Sequence, residues 1–390
     1  MNAEKKCLGG SACSLHIDRE HKILTKMINC KEQGIANGYN KLYYEALHMQ
    51  EANKHNSFYP VIRDSYYKEE MFCVDMDFMY DGMCFSDLLL DEEMEQNYIN
   101  RSLEFILRKL FEEFYRKKEI RPNISYLQDN YMNRVFDRIS IVQKMIAENK
   151  LHYKRLEKAI RNGVVINGDY YPGILKYIDF LRSQKEFLRE IMIENTYESH
   201  HDLIMANIIV DVYKTQQHIS DFRLIDPRGE KETGESNRHY MYDMGKMLLG
   251  LDCFDLFRRY YNIPKQNKYC FSMQDSIDID SYTLKFNLSD TIIKHYKNAQ
   301  EKWWDILAKL EDEEGMSLKE KEIERKRFLF SFAHMYHPDI ACRMIYEGSE
   351  ELALAFYVRG MMIMRHFVQQ VWGCDMLIPD AKPILLWEEI

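Results

Sequence analysis

The feature that most constrains this chain is a change of apolar period near Asp81-Gly82. Before it, strand-length apolar segments alternate with polar turns: Lys22 to Ile28, Pro60 to Arg63 and Met71 to Met79. Cys7 to Ile17 reads as two short strand-like segments around Gly9-Gly10-Ser11, and one helix is expected from Tyr39 to Ala52. After it, apolar residues recur at helical spacing, as at Leu103, Ile106, Leu107, Leu110, Phe111 and Phe114 within Arg101 to Lys118. Further helices are expected over Asn133 to Arg161 and Pro172 to Asn195. Two β-branched runs, Asn207 to Val212 and Phe222 to Ile225, flank the hydrophilic turn Lys214 to Ser220 and read as a hairpin. From Tyr240 the pattern is mostly helical, with a turn-rich stretch at Asn262 to Tyr282 and a charged, solvated loop expected at Glu311 to Lys321. The fold class expected is α+β. A small β-rich lobe over residues 1–81 would precede a larger, mostly helical lobe over 82–390 with one embedded hairpin.

With 390 residues, 46% of them hydrophobic, the chain can bury a core in each of two lobes. Its net charge of −9 argues against a general nucleic-acid binder, which would be basic. Leu352 to Met364 is the most apolar stretch; Arg359 interrupts it and it is too short to span a membrane, so no span is expected. Met1 to Ser14 is polar and does not read as a signal peptide. The nine cysteines are scattered without a Cys-x-x-Cys pair, which fits reduced thiols and a cytoplasmic location better than disulfides or a zinc site.

Chemistry concentrates in Ser199-His200-His201-Asp202-Leu203-Ile204-Met205-Ala206-Asn207, which leads into Ile208-Ile209-Val210. Phosphoryl transfer needs a carboxylate to hold and deprotonate an acceptor hydroxyl, and an oxygen ligand for Mg²⁺ nearby. Asp202 and Asn207, on one short loop, can supply both. Leu224-Ile225-Asp226-Pro227-Arg228-Gly229 then sets a second carboxylate at the end of an apolar strand just past the hairpin. There Asp226, with Asn207 and nucleotide phosphates, would complete an oxygen shell for Mg²⁺. Asp243, in Tyr242-Asp243-Met244-Gly245-Lys246, opens a helix and could cap it or brace the catalytic loop by accepting backbone hydrogen bonds.

Together these motifs resemble the aminoglycoside phosphotransferase and choline kinase family, with its two-lobed, protein-kinase-like fold. They are most similar to a bacterial branch associated with capsule and surface-sugar synthesis. The resemblance implies an ATP (or GTP) and Mg²⁺-dependent kinase whose partner is a small-molecule acceptor bearing a hydroxyl: a sugar first, then choline or ethanolamine, then an aminoglycoside. It also implies roles in the N-terminal lobe. Gly9, Gly10 and Ser11 would cover the phosphates, and Lys26 would contact them, with Glu45 as its helix partner. Asp77 to Met79 would pair with adenine through backbone groups. Lys22 and Lys31 rival Lys26, differing by a few positions in strand register. The family has glycine between His and Asp, where this chain has His201, and the residues after Leu203 also depart from the family pattern.

Other readings stand beside these. Asp202, Asn207 and Asp226 are residue types common in turns and caps. His200 reads as structural; His201 is expected to be exposed, with a possible substrate role. Arg228 either meets acceptor or phosphate charge or pairs with a nearby acid. Adjacent Trp303 and Trp304 point about 100° apart on a helix, so core packing suits them better than a cage for a quaternary amine. A protein kinase is one alternative, but the stretch from Asp226 to Asp243 is short for an activation loop and holds no Ala-Pro-Glu. The other is a nucleotide-binding, pseudokinase-like regulator that has lost turnover.

Overall fold

The computed structural model describes residues 13–31, 38–79, 82–120, 125–148, 153–213, 215–229, 239–252, 254–260, 269–344 and 348–384. The chain is mixed α+β, with small sheets and many helices. It divides into two compact units. The first comprises Met1–Arg121, Asn195–Leu251 and Thr291–Gly315; the second comprises Pro122–Glu194, Asp252–Asp290 and Met316–Ile390.

In the first unit, β1 (Ser14–Asp18), β2 (Ile23–Asn29), β3 (Ile62–Lys68) and β4 (Met71–Asp77) form an antiparallel sheet in the order β1-β2-β4-β3. Helix α1 (Gly38–Ala52) packs on it. Its Leu42, Glu45, Ala46 and Met49 recur at helical spacing and are buried, so a carboxylate shares the core-facing stripe. Lys26 lies on interior strand β2, opposite Leu15 and Val74.

The expected hairpin forms from Ile208–Asp211 and Phe222–Leu224, and Gly82–Cys84 pairs with its first strand on the other side. Asp211 closes the connection by accepting the backbone N–H groups of Ser220 (2.8 Å) and Asp221 (2.7 Å). Helix Gln96–Lys109 has the apolar face read from the sequence, with Leu103, Ile106 and Leu107 buried. That helix does not run through to Lys118. It ends in a wider turn at Leu110–Phe114, and Lys117–Ile120 instead pairs as a strand with Asn195–Tyr197.

The second unit is mostly helical but carries its own sheet. Its strands lie in the order Tyr269–Gln274, Ser281–Phe286, Val164–Ile166, Asp169–Tyr171. Two expected long helices are divided. One becomes Asn133–Ala147 and Lys154–Asn162; the other becomes Ile174–Ser183 and Lys185–Glu190, interrupted at Gln184 (φ −82°, ψ 66°). The stretch Glu311 to Lys321 is mostly helical. Helix Asp290–Glu313, which from Thr291 on belongs to the first unit, ends there, and the second unit's Leu318–Ala333 begins behind a capping box formed by Ser317 and Glu320. Helix Glu350–Trp372 is buried along most of its length, starts on a Ser349 cap and stops at left-handed Gly373. Among the described residues, no helix is long and apolar enough to cross a membrane.

Candidate active site

The site lies within the first unit. Lys26 Nζ is 2.7 Å and 2.9 Å from the two carboxylate oxygens of Glu45, and 2.7 Å from Asp226 Oδ1. Lys26 and Glu45 are buried, whereas 27% of the Asp226 side chain stays exposed. Burial opposes the charge on Lys26, but Asp226 and then Glu45 hold its ammonium well above the usual range. Burial pushes the Glu45 carboxyl up to about 7, against the pull of Lys26. Burial would also raise Asp226; Lys26 and then Lys41 bring it below the ordinary carboxylate range.

The loop bearing Asp202 is held from beneath by Asp243. Its Oδ2 accepts the His200 N–H and its Oδ1 the His201 N–H, each at 2.7 Å. The His200 ring accepts the Asp202 N–H at Nδ1 (3.2 Å) and donates from Nε2 to Ile225 O (2.9 Å). Those two bonds require the neutral tautomer protonated at Nε2. His200 is fully buried and stacks on Tyr59. Two further backbone bonds, Arg228 N–H to His200 O and Ile225 N–H to Asn207 O (3.0 Å each), join the Asp202 loop to the Asp226 loop. Asn207 spends its amide nitrogen on Asp202 O at 2.8 Å, which leaves its side-chain oxygen as the end available to another group.

Lys246 Nζ meets Asp202 Oδ1 at 3.0 Å and is itself buried. Burial would raise the Asp202 carboxyl, but Lys246, Arg228 and Lys41 together hold it far below the ordinary range. Both Asp226 (φ 58°) and His201 (φ 62°) take the left-handed conformation that side chains rarely adopt. Such backbone strain gathers where function holds a geometry in place.

Two close approaches fix the loops. A Cβ on Gly229 would sit 2.3 Å from Tyr44 Cβ, so only glycine lets the Asp226 loop lie against α1. A Cβ on Gly250 would sit 2.7 Å from Met205 N, so helix Tyr240–Leu251 rests directly on the turn that carries Asn207.

Lys26, Glu45, Asp226, Asp202 and Asn207 thus belong to one connected network. Lys22 sits in a left-handed turn and is exposed; Lys31 is exposed and pairs with Glu70. Asp77 ends β4 with its side chain on Arg63 (2.6 Å), while Phe78 N–H donates to Lys22 O and Met79 O accepts Gly82 N–H. Gly9, Gly10, Ser11 and Asp81 lie outside the described residues. His201 corrects an expectation. It is buried, 1% exposed, and stacked on Tyr242 with ring centroids 4.6 Å apart. Its left-handed φ and its N–H bond to Asp243 turn the ring inward, away from solvent.

The sequence alone gives no role to Lys41 or Lys246. Lys246 stands in the Tyr242-Asp243-Met244-Gly245-Lys246 motif, three residues after Asp243 on one helix, so the helical spacing holds a signal. Lys41 stands one helical turn before Glu45 on α1 and offered the same kind of clue. No family model and no curated protein matches this sequence.

Proposed function

We propose that the chain is a small-molecule kinase with a two-lobed, protein-kinase-like fold. It would transfer the γ-phosphoryl of ATP (or GTP) to a hydroxyl of a sugar or amino alcohol. The observation that carries this reading is one lysine held between a helix glutamate and a loop aspartate, beside a second aspartate fixed by its own lysine.

Lys26, braced by Glu45, draws α- and β-phosphate oxygens into place. Asp226 and the side-chain oxygen of Asn207 are the groups that would hold Mg²⁺. One carboxylate and one amide are too few to retain the ion unaided. The pair suits an ion that arrives on a triphosphate. When bound, Mg²⁺ supplies charge neutralisation on the phosphate oxygens.

Asp202 accepts a hydrogen bond from the acceptor hydroxyl and aims its oxygen at the γ-phosphorus. The new O–P bond forms as the bridging O–P bond breaks, and the bridging oxygen leaves on ADP with the electron pair. The hydroxyl proton passes through Asp202 to solvent. A carboxyl held as low as that of Asp202 is a weak base, so its contribution is orientation with late proton transfer. That suits a loose phosphoryl transition state, where positioning and charge placement dominate. The resemblance to the surface-sugar branch favours a sugar acceptor.

The test is transfer of label from γ-labelled ATP, with Mg²⁺, to a panel of monosaccharides and amino alcohols by the purified full chain. Asp202→Asn is expected to lower turnover by about 10²–10⁴-fold, and Asp226→Asn to remove it. Retained turnover in Asp226→Asn, or no transfer to any acceptor by the wild type, would overturn the reading.

A further inference from the structure

Three lysines surround the two aspartates, and they differ in one respect. Lys26 is bonded to Glu45 and Asp226, and Lys246 to Asp202. Lys41 is half-buried on α1 and makes no ion pair with any described residue. Its position is nevertheless well defined. It lies one turn from Glu45 on the helix stripe that faces the site, so the two side chains share a face. Three residues on, the same helix receives Gly229 in direct backbone contact, which presses the Asp226 loop against this segment. The charge of Lys41 acts most strongly on Asp202, then on Asp226 and Glu45 among the acidic groups. A lysine that is largely withdrawn from water and lies near two carboxylates, yet bonds to neither, is placed for an anion the protein does not itself supply.

We infer that Lys41 is a further catalytic residue, a cation that binds the non-bridging oxygens of the γ-phosphoryl group between Asp202 and Asp226. This rests on the phosphotransfer reading above. The division of labour follows from the pairing: Lys26, braced by Glu45, serves the α- and β-phosphates, Lys246 pairs with Asp202, and Lys41 is left for the group in transit. In the transition state the γ-phosphoryl oxygens spread their negative charge, and a preplaced ammonium there acts with little reorganisation.

Binding separates this assignment from the reading beneath it. Isothermal titration of the full chain with Mg²⁺-ADP and with a Mg²⁺-bound non-hydrolysable ATP analogue compares ligands that differ by the γ-phosphoryl. The wild type is expected to prefer the triphosphate analogue. Lys41→Met should erase that preference, weakening the analogue about tenfold while ADP changes less than twofold. Lys41→Arg should restore it in part, and Lys26→Met should weaken both ligands. Turnover of Lys41→Met should fall mainly in kcat.

Equal weakening of both nucleotides, or of neither, overturns the assignment, as does a variant in which only the acceptor KM rises. Should Lys41→Met fold poorly, the nucleotide preference of Lys41→Arg decides, because loss of preference with the charge kept contradicts the inference. A wild type that binds neither nucleotide refutes the kinase reading itself, an outcome distinct from failure of the Lys41 variants.

Discussion

Both units bury charge, and they do so in opposite ways. In the second unit, Arg359 and Asp252 meet through two bonds (3.0 and 2.6 Å), Tyr336 adds a third to the same carboxylate (2.6 Å), and neither charged side chain is exposed. Arg365 meets buried Asp375 through one bond (2.8 Å), Tyr177 donates to the same carboxylate (2.7 Å), and the guanidinium lies 3.4 Å over the Tyr171 ring. In the first unit the buried partners are lysines, and each aspartate keeps part of its surface open: 20% for Asp202 and 27% for Asp226. A planar guanidinium closed on a carboxylate fixes structure. A lysine against a partly exposed carboxylate leaves acceptor surface within reach of solvent. The difference separates a pair sealed in the core from one that water can still reach.

The strongest way to break this contrast is to neutralise one aspartate in each unit. Asp252→Asn strands Arg359 in the core and is expected to destabilise the second unit by about 3–5 kcal/mol in urea unfolding, the usual cost of removing one partner of a buried pair. Asp226→Asn leaves Lys26 paired with Glu45, and 27% of the Asp226 side chain is exposed, so it should cost clearly less stability than Asp252→Asn while turnover disappears. Equal destabilisation by the two substitutions would end the distinction.

Acid tests the second unit alone. Burial pushes His334 down to about 4 and His337 down to about 3, and both nitrogens of His337 lack hydrogen-bond partners among the described residues. Their folded values lie below the unfolded value of about 6.5, so the unfolded chain binds more protons and stability falls as pH drops below that value. Between pH 6.5 and 5 each histidine is expected to cost about 2 kcal/mol. Urea midpoints across that range should drop, and His337→Met should flatten the drop; an unchanged slope in His337→Met would contradict it.

The smallest effect belongs to an exposed cap. Ser317→Ala removes the bond to the Glu320 N–H (3.3 Å) and should cost about 1 kcal/mol by thermal melting, at any pH in the neutral range. A larger loss would mean that this cap does more than close one helix.

Much of this was legible in the sequence because it is local. The β2 and α1 spans, the Asp202-to-Asn207 spacing and the hairpin leading to Asp226 follow from short-range period and turn chemistry. Three-residue strands such as Val164–Ile166 and Asp169–Tyr171 are too short to show a period, and they form because distant Ser281–Phe286 offers an edge. Ser281–Phe286 does alternate outward and inward, a signal obscured by the turn-rich segment before it. Arg359 looked like an interruption in an apolar run; its partner Asp252 is far away in sequence, so only folding reveals the pair. His201 was misread for a similar reason: its burial comes from a left-handed backbone and a ring more than forty positions along the chain.

The contact of Gly229 with Tyr44 links two parts of the site that are far apart in sequence. Because backbone meets side-chain stem with no room between, the glutamate-bearing helix and the aspartate-bearing loop are geared together. A rotation of α1 that carried Glu45 away from Lys26 would also press on the loop that carries Asp226, so both carboxylate partners of Lys26 would be displaced together.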